Sequence, residues 1–276
     1  MRHRLWTVLV AVMAMGSGSA CSQVDLPADE VPAPKETKVE PPEPIASFVP
    51  PVVHNGQRDD MRIALTFDAC PTTSEYDARI TRVLKATNTP ATIFLSGSWV
   101  RHSQQIVLEL ANNPLFELAN HSYTHKHMTQ LAPARALDEL LQTQAEIFNL
   151  TGQVPEYFRP PFGEFDGRLS SVVGQAGLTT IEYDLASGDP DEHATKERLV
   201  AWVLKLARPG SIVVMHINHK QFHTSEALPD IIQGLRKRGY SLVTVGQLLK
   251  EKAPPLCVDP RPLSPLRDAV SSISAP

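Results

Sequence analysis

Strand-like and helix-like segments alternate from residue 58 to residue 252, and no other feature of this sequence constrains its fold as strongly. Short apolar runs typical of buried strands are separated by amphipathic segments typical of helices. The strand-like runs are 62–68, 91–96, 116–120, 157–160, 178–184, 211–216 and 242–245. The helix-like segments are 77–88, 99–112, 134–150, 166–176, 195–207 and 225–237. This order predicts an α/β fold with a parallel sheet, and about seven such units favour a closed or nearly closed (β/α)7-8 barrel.

Pro-rich segments flank the alternating region on both sides. Residues 22–57 and 253–276 contain many prolines and few large apolar side chains. Such segments cannot bury enough surface to offset the entropy lost on ordering. We therefore predict a linker at 22–57, a folded domain at 58–252 and a C-terminal tail at 253–276.

The first 21 residues have the pattern of an export signal. A basic start precedes an apolar run from Leu5 to Met15, and small residues follow up to Cys21. The apolar run is too short to span a bilayer comfortably. Cys21 is either acylated, as in a lipoprotein, or the signal is removed near Ala20 by simple cleavage. Both alternatives predict a mature chain in the periplasm or outer cell envelope, with a lipid anchor at Cys21 in the first.

Composition excludes several other classes of protein. The chain of 276 residues has a formal net charge of -4 and no basic cluster within the predicted domain, so a nucleic-acid partner is not indicated. Its three cysteines are too few to staple a small scaffold. The core must therefore come from packing of apolar side chains.

Polar residues capable of acid, base or ligand chemistry follow the predicted strands. In a barrel of this class, the chemistry gathers at the carboxyl ends of the strands. Side chains at or just after five different strand ends are Asp68, His121, Arg159, Asp189 and His216. Their placement predicts an active site on one rim of the barrel.

The stretch from Asn120 to His127 carries the most specific chemical signal. His121 and His125 are four residues apart, so a helical turn would place both imidazoles on one face, where they could share a zinc ion. A solvated surface turn explains the same spacing. The pair is therefore a metal-site hypothesis that depends on its neighbours.

The strand-end motifs together resemble the polysaccharide deacetylase family, which is defined by its NodB homology domain. The matching motifs, in the order of the family, are Thr66-Phe67-Asp68, His121 to His125, Arg159 to Gly163, Ser187-Gly188-Asp189 and Val214-Met215-His216. The resemblance implies a distorted, NodB-like barrel. It also implies metal-assisted removal of acetyl groups from amino sugars or, in some members, from acetylated hydroxyls.

Residue roles follow from the same resemblance. His121 and His125 match the pair that binds the metal, and Asp68 matches the general base that takes a proton from the attacking water. His216 matches the acid that protonates the departing amine, which an amide requires because an amide anion leaves poorly. Two further residues would support these, since Asp189 would hold His216 charged and Arg159 would orient Asp68. The backbone N–H of Phe162 would help to stabilise the oxyanion.

The sequence departs from the family pattern directly after the presumed base. Family members usually have a second aspartate there as third metal ligand, whereas this chain has Ala69 followed by Cys70. Asp77 is our preferred substitute because it begins a predicted helix at the same rim, although an ordinary helix N-cap explains it as well. His127 and a water molecule are the other candidates for this position.

Cys70 has three interpretations of its own. It could form a disulfide with Cys257 in an oxidising compartment, remain a buried free thiol, or bind the metal. The polar run from Asn218 to Thr224 predicts a loop on the same rim, which either binds sugar hydroxyls or is simply solvated.

These features support one leading function and two alternatives. The leading hypothesis is an exported hydrolase that removes N-acetyl groups from a GlcNAc-containing glycan such as peptidoglycan, because a tether at the envelope restricts the enzyme to nearby glycans. One alternative is an O-acetyl esterase acting on an acetylated glycan. The other, suggested by Ala69, is a glycan-binding domain that has lost catalysis.

Overall fold

The computed structural model describes residues 51–71 and 75–250 of the chain. Eight strands form its sheet: β1 (Arg62–Ala69), β2 (Ala91–Leu95), β3 (Phe116–Asn120), β4 (Tyr157–Phe158), β5 (Thr179–Thr180), β6 (Leu185–Ala186), β7 (Ile212–His216) and β8 (Ser241–Val243). Eight helices accompany them: α1 (Ala78–Ala86), α2 (Gly97–His102), α3 (Gln104–Ala111), α4 (Pro133–Thr151), α5 (Gly167–Gln175), α6 (Lys196–Leu206), α7 (Thr224–Lys237) and α8 (Val245–Leu249). Short 3-10 turns occur at Met128–Gln130 and Pro161–Gly163.

The strands form one parallel sheet in the order β5-β4-β3-β2-β1-β7-β6, with β8 also paired to β1. Ala64 of β1 pairs with both Ile212 and Val243, so β8 lies on the side of β1 opposite β7. The sheet curls into a half-barrel, which confirms the predicted α/β fold of the distorted, NodB-like type. Its two ends, β5 and β6, are not hydrogen-bonded to each other in the described residues.

Strand β1 is almost continuously apolar because both of its faces are covered. Every residue after Arg62 is buried. Ile63, Leu65 and Phe67 pack in the large core that the outer helices share, whereas Ala64 packs in a separate core with residues of other strands. Since strand side chains alternate between faces, Thr66 and Asp68 lie on the same face as Ala64.

Several boundaries differ from the predicted ones. The segment predicted as one helix at 99–112 is two helices, separated at Ser103, whose φ of -119° and ψ of 34° are not helical. The run at 178–184 forms only the short β5, while β6 and α8 were not predicted. Pairing begins before the predicted boundary at residue 58, because Val53 bridges Ile181. Within the described ranges, no helix has the length and apolar character needed to cross a membrane.

Candidate active site

The carboxyl ends of the strands surround a cleft of about 300 Å³. The predicted site residues that line this cleft are Asp68, His121, His125, Arg159, Phe162, Asp189 and His216. A larger groove of about 710 Å³ adjoins the cleft at Ala186 to Gly188, but none of those predicted site residues lines it. Of the catalytic, oxyanion and metal-binding residues predicted for the site, only Asp77 is not among the residues that line this cleft.

Asp68 and Arg159 form a buried ion pair at the base of the cleft. Nη1 of Arg159 donates to Oδ1 of Asp68 at 2.8 Å and to Oγ1 of Thr66 at 2.8 Å. The guanidinium carbon lies 4.1 Å from the centroid of the Phe94 ring, so an aromatic face supports the cation. Burial raises the pKa of Asp68, but the charges of Arg159, His121 and His216 together lower it below the ordinary value. Asp68 is therefore a carboxylate with a fixed orientation.

His121 is oriented so that one ring nitrogen remains available as a ligand. Its Nδ1 lies 2.8 Å from the carbonyl oxygen of Arg159 and must donate there, because a carbonyl can only accept. The Nε2 lone pair then points away from this bond, 3.8 Å from Oδ2 of Asp68. Burial lowers the pKa of His121, which favours the neutral ring that a metal requires.

His125 approaches His121 through a loop and not through a helical turn. The predicted helical arrangement is wrong, since no helix includes residues 121–127 and both Ser122 (φ 60°) and His125 (φ 58°) have left-handed backbone conformations. The two rings nevertheless meet edge to face, with centroids 4.9 Å apart. Burial and the neighbouring His121 lower the pKa of His125 to about 4, so it too is neutral near pH 7.

Glu139 of α4 holds this strained loop in place. One carboxylate oxygen accepts the backbone N–H groups of Tyr123 and Thr124 at 2.9 and 2.7 Å, and the other accepts the Thr124 hydroxyl at 2.7 Å. Left-handed conformations of non-glycine residues persist only where surrounding contacts compensate for the strain. Sequence reasoning missed Glu139, because nothing in the spacing of α4 connects it to a loop 15 residues upstream.

Cys70 lies beside the two histidines. Its Sγ is 3.4 Å from Nε2 of His125 and 4.0 Å from Nε2 of His121, and the three possible ligand atoms lie within 4.8 Å of one another. Two neutral imidazoles and a thiol are donors that suit a divalent metal such as zinc. Burial and the charges of Asp68 and Asp189 raise the pKa of the Cys70 thiol in the absence of a cation. Within the described residues Cys70 forms no disulfide, and Cys257, its partner in one of the three interpretations, lies outside them.

Asp77, our preferred third ligand, is placed elsewhere by the structure. It is the N-cap of α1, where Oδ1 accepts the backbone N–H of Arg79 at 3.0 Å and Oδ2 pairs with the Arg79 guanidinium at 2.8 Å. Among the described residues, Asp77 does not join the cluster of Cys70, His121 and His125. The expectation of a metal-binding Asp77 is therefore corrected in favour of its alternative, a helix cap. The physical reason is that the exposed first-turn N–H of α1 and the adjacent cation both compete for the carboxylate.

His127, the second candidate, is also outside this cluster. Its ring stacks on Phe162 with centroids 4.2 Å apart, and its Nδ1 lies 2.9 Å from a carboxylate oxygen of Glu164. Phe162 itself has a φ of 62° and contacts His125 edge to face at 4.7 Å. A left-handed non-glycine residue beside a cleft is a common feature of functional sites. The oxyanion role of its backbone N–H stays a prediction.

His216 faces the cleft from the opposite side and is held by Asp189. Its Nδ1 lies 3.0 Å from Oδ1 of Asp189, whose other oxygen accepts the His216 backbone N–H and the Thr224 hydroxyl, each at 2.8 Å. Burial lowers the pKa of His216, but the hydrogen bond and charge of Asp189, helped by Asp68, raise it above the ordinary value overall. The contacts of His216 with Asp189 thus favour the protonated form of its ring.

Glu182 is a second buried carboxyl group that sequence reasoning missed. It is 4% exposed, and its Oε1 has no hydrogen-bond partner among the described residues. Burial raises the pKa of Glu182 to about 7, although Arg159 opposes this shift. The predicted run at 178–184 suggested a strand and gave no reason to single out an inward-facing acid.

Comparison with known proteins identifies the family. Residues 55–181 match the family model described as Polysaccharide deacetylase. A family 4 carbohydrate esterase from Streptomyces lividans has a similar solved structure, with 33% sequence identity and a TM-score of 0.59, and the match covers 69% of this chain and 93% of that chain. The chain belongs to the polysaccharide deacetylase family.

Other relatives within this family differ in whether they are active. A family 4 pseudoenzyme from Bacillus anthracis has a TM-score of 0.68 and 29% identity, over 73% of this chain and 69% of that chain. A mutant of the same protein, 30% identical to this chain, is described as having restored enzymatic activity. The peptidoglycan-N-acetylglucosamine deacetylase PgdA of Listeria monocytogenes is 31% identical over 71% of this chain and 40% of its own length.

The match to curated relatives is partial in length. The matched region spans 66%, 31% and 40% of the length of three curated relatives. The polysaccharide deacetylase homologues support a hydrolase that removes acetyl groups from carbohydrate.

Proposed function

We propose that the chain is a metal-dependent deacetylase that hydrolyses the N-acetyl groups of a GlcNAc-containing glycan of the cell envelope. The observation that carries this proposal is the convergence of Asp68, the His121–His125 pair and His216 on one cleft of about 300 Å³. A base, a metal-binding pair and an acid are the three parts that hydrolysis of an unreactive amide requires.

Asp68 acts as the general base. Its lowered pKa keeps it ionised near pH 7, and Arg159 fixes the carboxylate through Oδ1. Oδ2 remains directed towards His121, at 3.8 Å from Nε2. From this position Asp68 can take a proton from a water molecule that attacks the acetyl carbon.

His121 and His125 would hold a divalent metal, and zinc is the metal that we propose. When bound, such an ion supplies Lewis-acid chemistry, which polarises the acetyl oxygen and acidifies water. Both rings have lowered pKa values and are neutral near pH 7, as metal ligands must be. The backbone N–H of Phe162 would add a hydrogen bond to the developing oxyanion.

His216 acts as the general acid. Nδ1 is engaged by Asp189, so the proton that can be transferred is on Nε2. The raised pKa of His216 favours the protonated imidazole that this role requires. Protonation of the amine nitrogen by His216 allows the carbon–nitrogen bond to break without forming an amide anion.

The envelope glycan is proposed from the sequence and from the relatives. Residues 1–21 have an export pattern with Cys21 as a possible acylation site, and they lie outside the described residues. The Listeria monocytogenes relative is named as a deacetylase of N-acetylglucosamine in peptidoglycan. We therefore propose a periplasmic or outer-envelope location, with membrane attachment only through a lipid at Cys21.

The proposal is tested by measuring acetate release from acetylated chito-oligomers and from peptidoglycan, before and after removal of metal with a chelator. We expect activity that the chelator abolishes and that zinc restores. Acetylated xylan serves as the comparison substrate. Release from the ester substrate alone would show that the protein is an O-acetyl esterase, and release that does not need metal would contradict the mechanism.

A glycan-binding domain without catalysis is the second candidate. It is favoured by one observation, the similarity to a Bacillus anthracis pseudoenzyme together with Ala69 in the first motif. Binding of chito-oligomers without any acetate release from the metal-loaded protein would establish this alternative.

A further inference from the structure

We propose that Cys70 is the third protein ligand of the metal and completes a His2Cys site with His121 and His125. This inference rests on the metal dependence proposed above and concerns the same cleft. It assigns to the Cys70 thiolate the position for which the sequence offered Asp77, His127 or water, and so selects metal binding among the three interpretations of Cys70.

The alternation of side chains at the end of β1 explains why Cys70 lines the cleft and Ala69 does not. Ala69 is fully buried in the large core with Ile63, Leu65 and Phe67, on the face of β1 that the helices cover. Side chains alternate along a strand, so Asp68 and Cys70 extend to the other face. Cys70 accordingly lines the same cleft as Asp68 and the two histidines.

The distances suit tetrahedral coordination. With zinc–sulfur and zinc–nitrogen bonds of about 2.3 and 2.0–2.1 Å, a tetrahedral site separates sulfur from nitrogen by about 3.6 Å. The two observed separations of Sγ from the Nε2 atoms are 3.4 Å for His125 and 4.0 Å for His121. These two sulfur–nitrogen separations therefore lie within about 0.4 Å of the tetrahedral value.

Hydrogen bonds from two buried residues, Asn218 and Ser96, fix the backbone at Cys70 and at Ala69 before it. Oδ1 of Asn218 accepts the Cys70 backbone N–H at 3.2 Å, and Nδ2 of Asn218 donates to the Cys70 carbonyl. On the preceding residue, the carbonyl of Ala69 accepts the Ser96 hydroxyl at 2.9 Å and the Ser96 backbone N–H at 3.1 Å. Asn218 is fully buried, so its amide is used inside the protein and not for binding sugar hydroxyls. Such fixed backbone geometry preorganises a ligand.

The charge of a thiolate ligand and the softness of its sulfur affect which metal ions the site prefers. Two neutral imidazoles contribute no negative charge, and thiolate coordination adds one while a single proton leaves Cys70 for solvent. Soft sulfur ligands favour zinc and cobalt over magnesium, manganese and calcium. We therefore expect this site to select zinc-like ions more strongly than a site completed by a carboxylate.

The experiment uses the full chain freed of metal and titrated with Co²⁺, whose absorption spectrum reports its ligands without any substrate. The wild-type protein is expected to bind one equivalent and to develop the near-ultraviolet sulfur-to-cobalt charge-transfer band. Cys70→Ser should lose the band and bind about 10- to 100-fold more weakly. Cys70→Asp should bind Co²⁺ without the band, and Cys257→Ser, the matched control, should keep it.

Each other outcome has a defined meaning. Failure of the wild type to bind metal, binding without the band, or a Cys70→Ser variant with unchanged spectrum and affinity would overturn the proposal. Circular dichroism and thermal unfolding of the metal-free variants show whether a loss of binding reflects loss of the fold. If Cys70→Ser does not fold, the Co²⁺ spectrum of Cys70→Asp provides the test instead.

The result also separates this inference from the proposed function. Acetate release by a protein that binds Co²⁺ without a sulfur band would support the deacetylase function and exclude Cys70 as a metal ligand. A sulfur band in a protein that deacetylates no glycan would support Cys70 as a metal ligand and contradict the proposed function.

Discussion

Oδ1 of Asp189 lies 3.0 Å from Nδ1 of His216, and Oδ2 of the same carboxylate accepts the His216 backbone N–H at 2.8 Å. The acid thus holds both the ring and the main chain of the histidine that faces the cleft. Other titratable groups near this ring are Asp68 on β1, Arg159 after β4 and His219 after β7. Burial has the largest single effect on the pKa of His216 and lowers it. Among the groups that raise this pKa, Asp189 contributes most.

Asp189→Asn is expected to move the alkaline limb of the pH–rate profile to lower pH. The pKa of His216 is raised in the folded protein, so the reactive imidazolium persists until the pH rises through that raised value. Loss of the Asp189 charge lowers the pKa, and activity then falls at a lower pH. The measurement is kcat/KM against pH. Asp191→Asn, an exposed acid in the same loop, is the control, and an unchanged limb in Asp189→Asn would contradict the role of His216.

Asp68→Asn is expected to reduce kcat by about 10²- to 10⁴-fold. Asparagine retains an oxygen that can accept from Arg159, so the fold should persist, but an amide cannot take a proton at neutral pH. Single-turnover acetate release on metal-loaded protein measures the effect. Asp230→Asn, a half-exposed acid paired with Lys196 on the helical side, should retain full activity. Wild-type activity in Asp68→Asn would exclude this residue as the base.

Glu139→Ala is expected to weaken metal binding about 10- to 100-fold, although Glu139 does not belong to the cluster of possible metal ligands. Its carboxylate holds the backbone of Tyr123 and Thr124, and without it the left-handed Ser122 and His125 lose their support. Metal titration gives the affinity. Asp138→Asn, the exposed neighbour on α4, is the matched control. Equal affinities of Glu139→Ala and wild type would show that the loop keeps its shape without Glu139.

Glu182→Gln is expected to stabilise the protein at alkaline pH. The pKa of Glu182 is raised from 4.5 to about 7, so the folded state binds this proton more tightly than the unfolded chain. Stability therefore falls as the pH rises from the ordinary pKa through the raised one, by about 1–3 kcal/mol in total. Glutamine cannot ionise and avoids this loss.

Denaturant unfolding at pH 5 and pH 8 tests the Glu182 prediction. The difference between Glu182→Gln and wild type should grow from pH 5 to pH 8 in favour of the variant. Glu192→Gln, whose side chain is 86% exposed, is the control and should show no such trend. A variant that is less stable than wild type at pH 8 would show that Glu182 is ionised and paired in the folded state.

Much of the fold could be predicted because the buried faces of strands and helices produce regular patterns of apolar residues in the sequence. β1, β2 and β7 are covered on both faces, so their side chains form continuous apolar runs. Helices such as α4 show the longer period of a single buried face. The ends of these runs located Asp68 and His216 correctly, since a parallel sheet presents the carboxyl ends of its strands at one rim.

The two histidines proposed to bind the metal show where the local sequence pattern became insufficient. A spacing of four residues fits both a helical turn and the loop that His121 and His125 occupy, and the choice between them is made by Glu139, which lies on another element. For the same reason, Asp77 was a plausible ligand in sequence but is used as a helix cap, next to the cation of Arg79.

The sequence by itself determined the alternation of strands and helices, the parallel sheet and the identity of most polar residues at its rim. For the described residues, tertiary structure alone decided that β5 and β6 are not hydrogen-bonded to each other, that Cys70 lies beside the two histidines, and that Oε1 of the buried Glu182 has no hydrogen-bond partner. The physical reason is that periodicity records how each segment is buried along its own length. Distances between side chains on different segments depend on how those segments pack, which no single segment encodes.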